Sequence, residues 1–193
     1  MITLQEASHG LFGAWRLLHL DRSALQHFRT DSIGFWNSFW AAAIVLPAIA
    51  LETLLLSVDE AGPADSSGGP LDVLIYLQIF VIAWLLFPLV MAGVTDSINR
   101  GERFVVFVVA WNWSNIVRIA IVLPSVVIFA AEGVDTPGWG AVLYLAAQLA
   151  TLVYAWAVAR IALDVPPMTA VMVVVIELGL SIMLWLTAES LIG

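Results

Sequence analysis

The sequence predicts an all-α membrane protein: a bundle of five transmembrane helices with an N-terminal amphipathic interfacial helix. Three observations predict it. Hydrophobic residues make up 62% of the 193-residue chain and charged residues only 11%, whereas a soluble domain carries roughly 25% charged residues. The apolar residues gather into five stretches, each near the roughly 20 residues that cross a hydrocarbon core of about 30 Å. The polar segments between those stretches alternate, one carrying arginine and the next only acid.

Residues 1–33 read as a cytoplasmic amphipathic segment and residues 34–193 as the five-span domain. Between residues 4 and 19, Leu4, Ala7, Leu11, Trp15 and Leu18 recur at spacings of three and four, with Glu6, His9 and Arg16 on the other side. That periodicity is helical. Such a helix beside a span either lies in the interface, its apolar stripe in the acyl boundary, or packs under the bundle. Arg16 and His19 interrupt its apolar run, so no secretory signal peptide is expected. A second short helix is expected within Asp21–Thr30.

The spans are expected at about 35–56, 71–94, 103–131, 139–163 and 168–188. Trp36 and Trp40 open the first and Trp139 the fourth. With Trp15 they form the membrane-interface set, because an amphipathic indole suits headgroup depth. Pro88 and Pro124 are expected to kink the second and third spans. An acidic linker, Ser57–Pro70, and an acidic turn, Glu132–Gly138, follow the first and third spans. Asn99-Arg100-Gly101 is a turn after the second, and Asp164-Val165-Pro166-Pro167 stops the fourth.

Arginine sets orientation. Arg16, Arg22, Arg29, Arg100, Arg103 and Arg160 fall in segments on one side of the alternation. The opposite segments, with Asp59, Glu60, Asp65, Glu132, Asp135 and Glu189, hold no basic residue. The positive-inside rule makes the arginine side cytoplasmic. The expected location is a bacterial inner membrane, N-terminus cytoplasmic and C-terminus periplasmic.

Composition also excludes. The chain has no cysteine, hence no disulfide or thiolate site. Its net charge of -8 and its lack of lysine leave no basic block for nucleic acid. The histidines, His9, His19 and His27, all precede the first span, so none can ligate a haem within the membrane, and no metal or cofactor is expected. No catalytic motif is present, and no enzymatic activity is expected.

Polar residues at mid-depth are the candidate site. At 1.5 Å per residue, Glu177 lies roughly 14 Å and Arg118 roughly 21 Å from the cytoplasmic edge. Asn115 and Gln148 fall near 16 Å and Gln78 near 21 Å on the same estimate. An isolated ionised group there costs at least about 2.5–3.5 kcal/mol, so Arg118 and Glu177 are expected to pair. Trp111, Ser114, Asn115, Arg118 and Ser125 share one helical face, expected to meet Gln148, Thr151 and Glu177. Ala147, Ala155 and Ala159, spaced by fours and eights, together with Gly179, are expected to let helices approach closely. Glu52, near the outer end of the first span, is expected to reach headgroup water.

An amphipathic N-terminal segment, five spans, an Arg100-Gly101-Glu102-Arg103 connector and a third span ending toward Pro124 resemble the bacterial relatives of the Yip family. The eukaryotic members of that family are five-pass proteins that bind Rab GTPases in vesicle traffic. The resemblance implies a layout and maps no functional residue. It is similar also to uncharacterised inner-membrane proteins of alphaproteobacteria. Two functions are therefore expected in competition. The first is a non-enzymatic membrane protein that organises or binds membrane lipid, other membrane proteins or further copies of itself. The alternative is a small-solute or proton transporter or channel component using Glu177 and Arg118.

Overall fold

The computed structural model describes residues 2–57, 70–132 and 138–192. Most of the acidic linker, with Asp59, Glu60 and Asp65, and most of the acidic turn, with Asp135, lie outside the described residues, as does the side chain of Glu189. Among the described residues the chain is helical without strands, and five helices are long and apolar enough to cross a membrane.

The N-terminal layer comes first in the chain. Helix α1 (Leu4–Leu18) starts at Thr3, whose Oγ1 accepts from the Glu6 N–H at 3.1 Å, satisfying one orphan donor of the first turn. A short 3₁₀ turn, Arg22–His27, follows where a second helix was expected. Asp21 caps it by accepting from Ser23 N at 2.9 Å. Arg16 ties α1 to that turn, pairing with Asp21 and bonding Ser23 Oγ at 2.7 Å and His27 Nε2 at 2.9 Å. Helix α2 (Ser32–Ser38) is capped by Asp31, which accepts from Gly34 N at 2.7 Å and pairs with Arg29 at 2.8 Å.

These two cap carboxyls titrate below the usual carboxylate range. The Ser23 hydroxyl and amide, then Arg16, hold Asp21 down. The Arg29 guanidinium, then the Gly34 amide, hold Asp31 down. A lowered folded value stabilises above the unfolded value of about 3.9 and is lost as pH falls through the lowered value. Hydrogen-exchange protection at Gly34 is therefore expected to persist from neutral pH through about 4, the ordinary carboxylate value, and to be lost only as pH falls through the lowered one. Protection that vanished already near pH 6 would show that the cap does not hold α2.

The spans follow. Helix α3 (Trp40–Ser57) is separated from α2 by a break at Phe39, so the first span, 32–56, is bent rather than continuous. Helices α4 (Pro70–Ser97), α5 (Phe104–Glu132), α6 (Trp139–Ala162) and α7 (Pro167–Ile192) are the others. α4 and α5 remain helical through Pro88 and Pro124, as α3 does through Pro47. A 3₁₀ turn, Gly101–Arg103, enters α5 after Asn99 has taken a left-handed φ of 56°. Asp164 does the same after α6, at 51°, before Pro167 opens α7. Asparagine and aspartate tolerate that conformation, and proline fits a first helical position.

α5 is the axis of the fold. It packs on α3 and α6 and carries α1 and α2 against its first half, while α7 joins α6 to α4. Every residue from Phe107 to Ser114 is buried. A helix buried on all faces is surrounded by protein rather than lipid. The arginine-bearing connectors meet at one end: Arg22 pairs with Asp164 at 3.4 Å, and Arg100 bonds its backbone oxygen at 3.1 Å.

The face that α1 buries is not its leucine stripe. Gly10, Gly13, Ala14 and Leu17 are buried, and α1 lies on α5 and α6. A side-chain carbon at Gly10 would overlap the Trp113 indole. Leu4, Leu11 and Trp15 instead stay exposed, with Phe12 beside them. So α1 has one face packed on protein and a separate apolar face left open.

Candidate functional site

The polar face of α5 builds the site. Residues 111 and 118 are seven apart, two turns and roughly 10 Å along one face. A carboxylate arriving from α7 at an intermediate height meets both. Arg118 Nη1 donates to Glu177 Oε1 at 2.5 Å, and Trp111 Nε1 donates to the same oxygen at 3.0 Å. Arg118 also donates to Asn115 Oδ1 at 3.1 Å, and Asn115 Nδ2 donates to the Trp111 carbonyl at 3.1 Å. The Arg118 and Glu177 side chains are 21% and 12% exposed. Hydrogen bonds reinforce the pair, and without such bonds a desolvated ion pair gains little. Trp84 and Phe87 of α4 wall the network off, their rings 5.6 and 4.8 Å from that of Trp111.

Beside the pair lies a crevice of about 170 Å³. Asn115 and Arg118 of α5, Gln148 and Thr151 of α6, Trp84 of α4 and Glu52 of α3 line it. Gln148 and Thr151 therefore share a wall with Arg118 without bonding it; Thr151 Oγ1 instead donates to the Gln148 carbonyl at 2.8 Å. Gln78 does not join. It is exposed on α4, because the face of α4 turned to α5 is the one bearing Trp84 and Phe87. The crevice is smaller than the roughly 300 Å³ at which drug-sized ligand pockets begin. It suits waters, an ion or a very small solute.

Glu52 is the residue that depth alone misplaced. α3 runs alongside α5, and this brings Glu52 to the same crevice as Val122 and Arg118. It makes no hydrogen bond or ion pair with any described residue. Its i+7 relation to Val45, another lining residue, was the available signal.

A second buried network went unforeseen. The Tyr154 hydroxyl donates to the Ala14 carbonyl at 2.7 Å and lies 3.0 Å from Ser114 Oγ. Asn112, wholly buried, donates from Nδ2 to Ser38 Oγ at 2.7 Å. These bonds fasten the N-terminal layer to α5 and α6. Of the small residues, Ala155 and Ala159 are buried in the bundle and Ala147 is half-buried. Gly179 departs from expectation: it is exposed, and a side chain there would meet nothing within 4 Å. Trp15, Trp36, Trp40 and Trp139 are all exposed, between 50% and 79%. Among the described residues no three histidine, aspartate or glutamate side chains cluster as a metal site would.

The chain matches no protein-family model, no curated protein and no solved structure.

Proposed function

We propose that this protein is a non-enzymatic bacterial inner-membrane protein, N-terminus cytoplasmic and C-terminus periplasmic, that admits a proton or small cation to its centre as a transporter or channel component. One observation carries the reading. Glu52 is a carboxylate facing a crevice inside the bundle, with no cation paired to it among the described residues. A carboxylate inside a membrane is costly and points to function. Arg118 is already engaged by Glu177, so the crevice offers an acid that a proton or cation can satisfy. The meeting of Arg22 and Arg100 at Asp164 supports the orientation, since it gathers the arginine-bearing segments at one end. The Yip-like layout enters as architecture only.

The test is flux into proteoliposomes under an imposed proton gradient. Wild type is expected to conduct, Glu52→Gln to lose at least about tenfold, the equivalent of 1.4 kcal/mol, and to remain folded. No wild-type proton or monovalent-cation flux, or unchanged flux in Glu52→Gln, would sink the reading.

A second reading, in which the protein binds or organises lipid or membrane proteins, draws on α1. Its open apolar face, Leu4, Leu11, Phe12 and Trp15, fits a helix lying in the interface with that face in the acyl boundary.

A further inference from the structure

A second cavity, larger than the crevice, lies in the N-terminal layer. It holds about 290 Å³ between α1, the 3₁₀ turn, α2 and α5, close to the lower end of ligand pockets. Its wall mixes charges. Glu6 supplies a carboxylate whose two oxygens accept from Asn37 Nδ2 at 3.1 and 2.9 Å; among the described residues no cation is within ion-pair distance, and Arg29 feels its charge across the cavity. Across the same space Arg29 spends Nε and Nη2 on Asp31 and leaves Nη1 without a partner. Among the described residues the His9 ring nitrogens make no hydrogen bond. Trp113, only 3% exposed, forms part of the wall, and its indole N–H has no partner among the described residues either.

Several free donors and one unpaired acid suit a ligand that carries an anion and an ammonium together. A phosphate would take the Arg29, His9 and indole donors, since charge-assisted bonds to phosphate are the strong ones. A primary ammonium would take Glu6. The rim decides the source of such a ligand. Ile33, which lines the cavity, is 55% exposed, and this apolar side chain suits acyl chains rather than water.

We propose that this cavity binds the headgroup of a zwitterionic aminophospholipid from the surrounding leaflet. The inference rests on the N-terminal layer lying at the membrane surface. It is independent of conduction through the crevice, so a failed flux assay leaves it standing.

Native mass spectrometry of the full chain in detergent tests it. Phosphatidylethanolamine is expected to remain bound at least about tenfold better than phosphatidylglycerol. Glu6→Gln removes that preference, and Arg29→Gln weakens retention of both lipids. Arg29 is a surface residue, so its variant keeps the assay interpretable if Glu6→Gln unfolds α1; a melting curve reports on that. Chain-free glycerophosphoethanolamine separates the sources. Binding at least about tenfold weaker than that of the lipid is expected, and binding as tight as the lipid would assign a soluble ligand instead. Equal retention of the two lipids by wild type, an unchanged preference in a folded Glu6→Gln, or unchanged retention in Arg29→Gln overturns the proposal.

Discussion

Glutamine at either Arg118 or Glu177 is expected to destabilise the bundle by about 3–5 kcal/mol, and glutamine at both to restore a large part of the loss. Glu177→Gln leaves the Arg118 cation with only Asn115 to receive it. Arg118→Gln leaves a carboxylate held only by the Trp111 N–H. A hydrogen bond between membrane helices is worth about 0.6 kcal/mol on average. Loss of bonds alone would thus be small, and a larger effect reports an uncompensated charge. At 21% and 12% exposure, water screens the two side chains poorly. Thermal unfolding of the four proteins in detergent gives the coupling directly. Two single losses below about 1 kcal/mol that simply add would show that the charges are not coupled.

Valine at Gly10 is expected to lift α1 from the bundle. Its side chain would enter the Trp113 indole, which is itself 3% exposed and cannot retreat into solvent. Overpacking of this kind costs roughly 1–3 kcal/mol, and the layer it strains is fastened chiefly through Tyr154, Asn112 and Arg22. Trypsin should then cut at Arg16 and Arg22 at least about tenfold faster than in wild type, since a tenfold change corresponds to 1.4 kcal/mol. Gly179→Val is the control: nothing lies within 4 Å of the added carbon, and no change is expected. Equal cleavage of wild type and Gly10→Val would mean that α1 does not depend on that contact.

The parts legible in sequence were those governed by the solvent. Lipid demands long apolar runs, so the five spans emerged within a few residues of their ends. It also penalises lone charges, so Arg118 and Glu177 could be matched by height alone. What required rotation about a helix axis was less legible. Gln78 and Arg118 lie at comparable depth, yet α4 turns Gln78 outward because Trp84 and Phe87 occupy its inner face. Glu52 was assigned to water by its distance along the chain, but the break at Phe39 and the alignment of α3 with α5 bring it into the crevice. In α1 the leucines drew attention while the glycines made the contact. Hydrophobicity measures transfer from water and does not report which of two apolar faces is small enough to pack.

The bond from Tyr154 to the Ala14 carbonyl joins residues 140 positions apart. During synthesis the N-terminal helix leaves the ribosome long before its anchor exists. At about 5–20 residues per second, the interval is roughly seven to thirty seconds. Until α5 is made, α1 lacks the surface on which Gly10 packs, and an open apolar face of this kind suits the bilayer surface meanwhile. The stripe that the finished fold leaves uncovered can then serve as a waiting berth, until the third and fourth spans arrive to claim the other face.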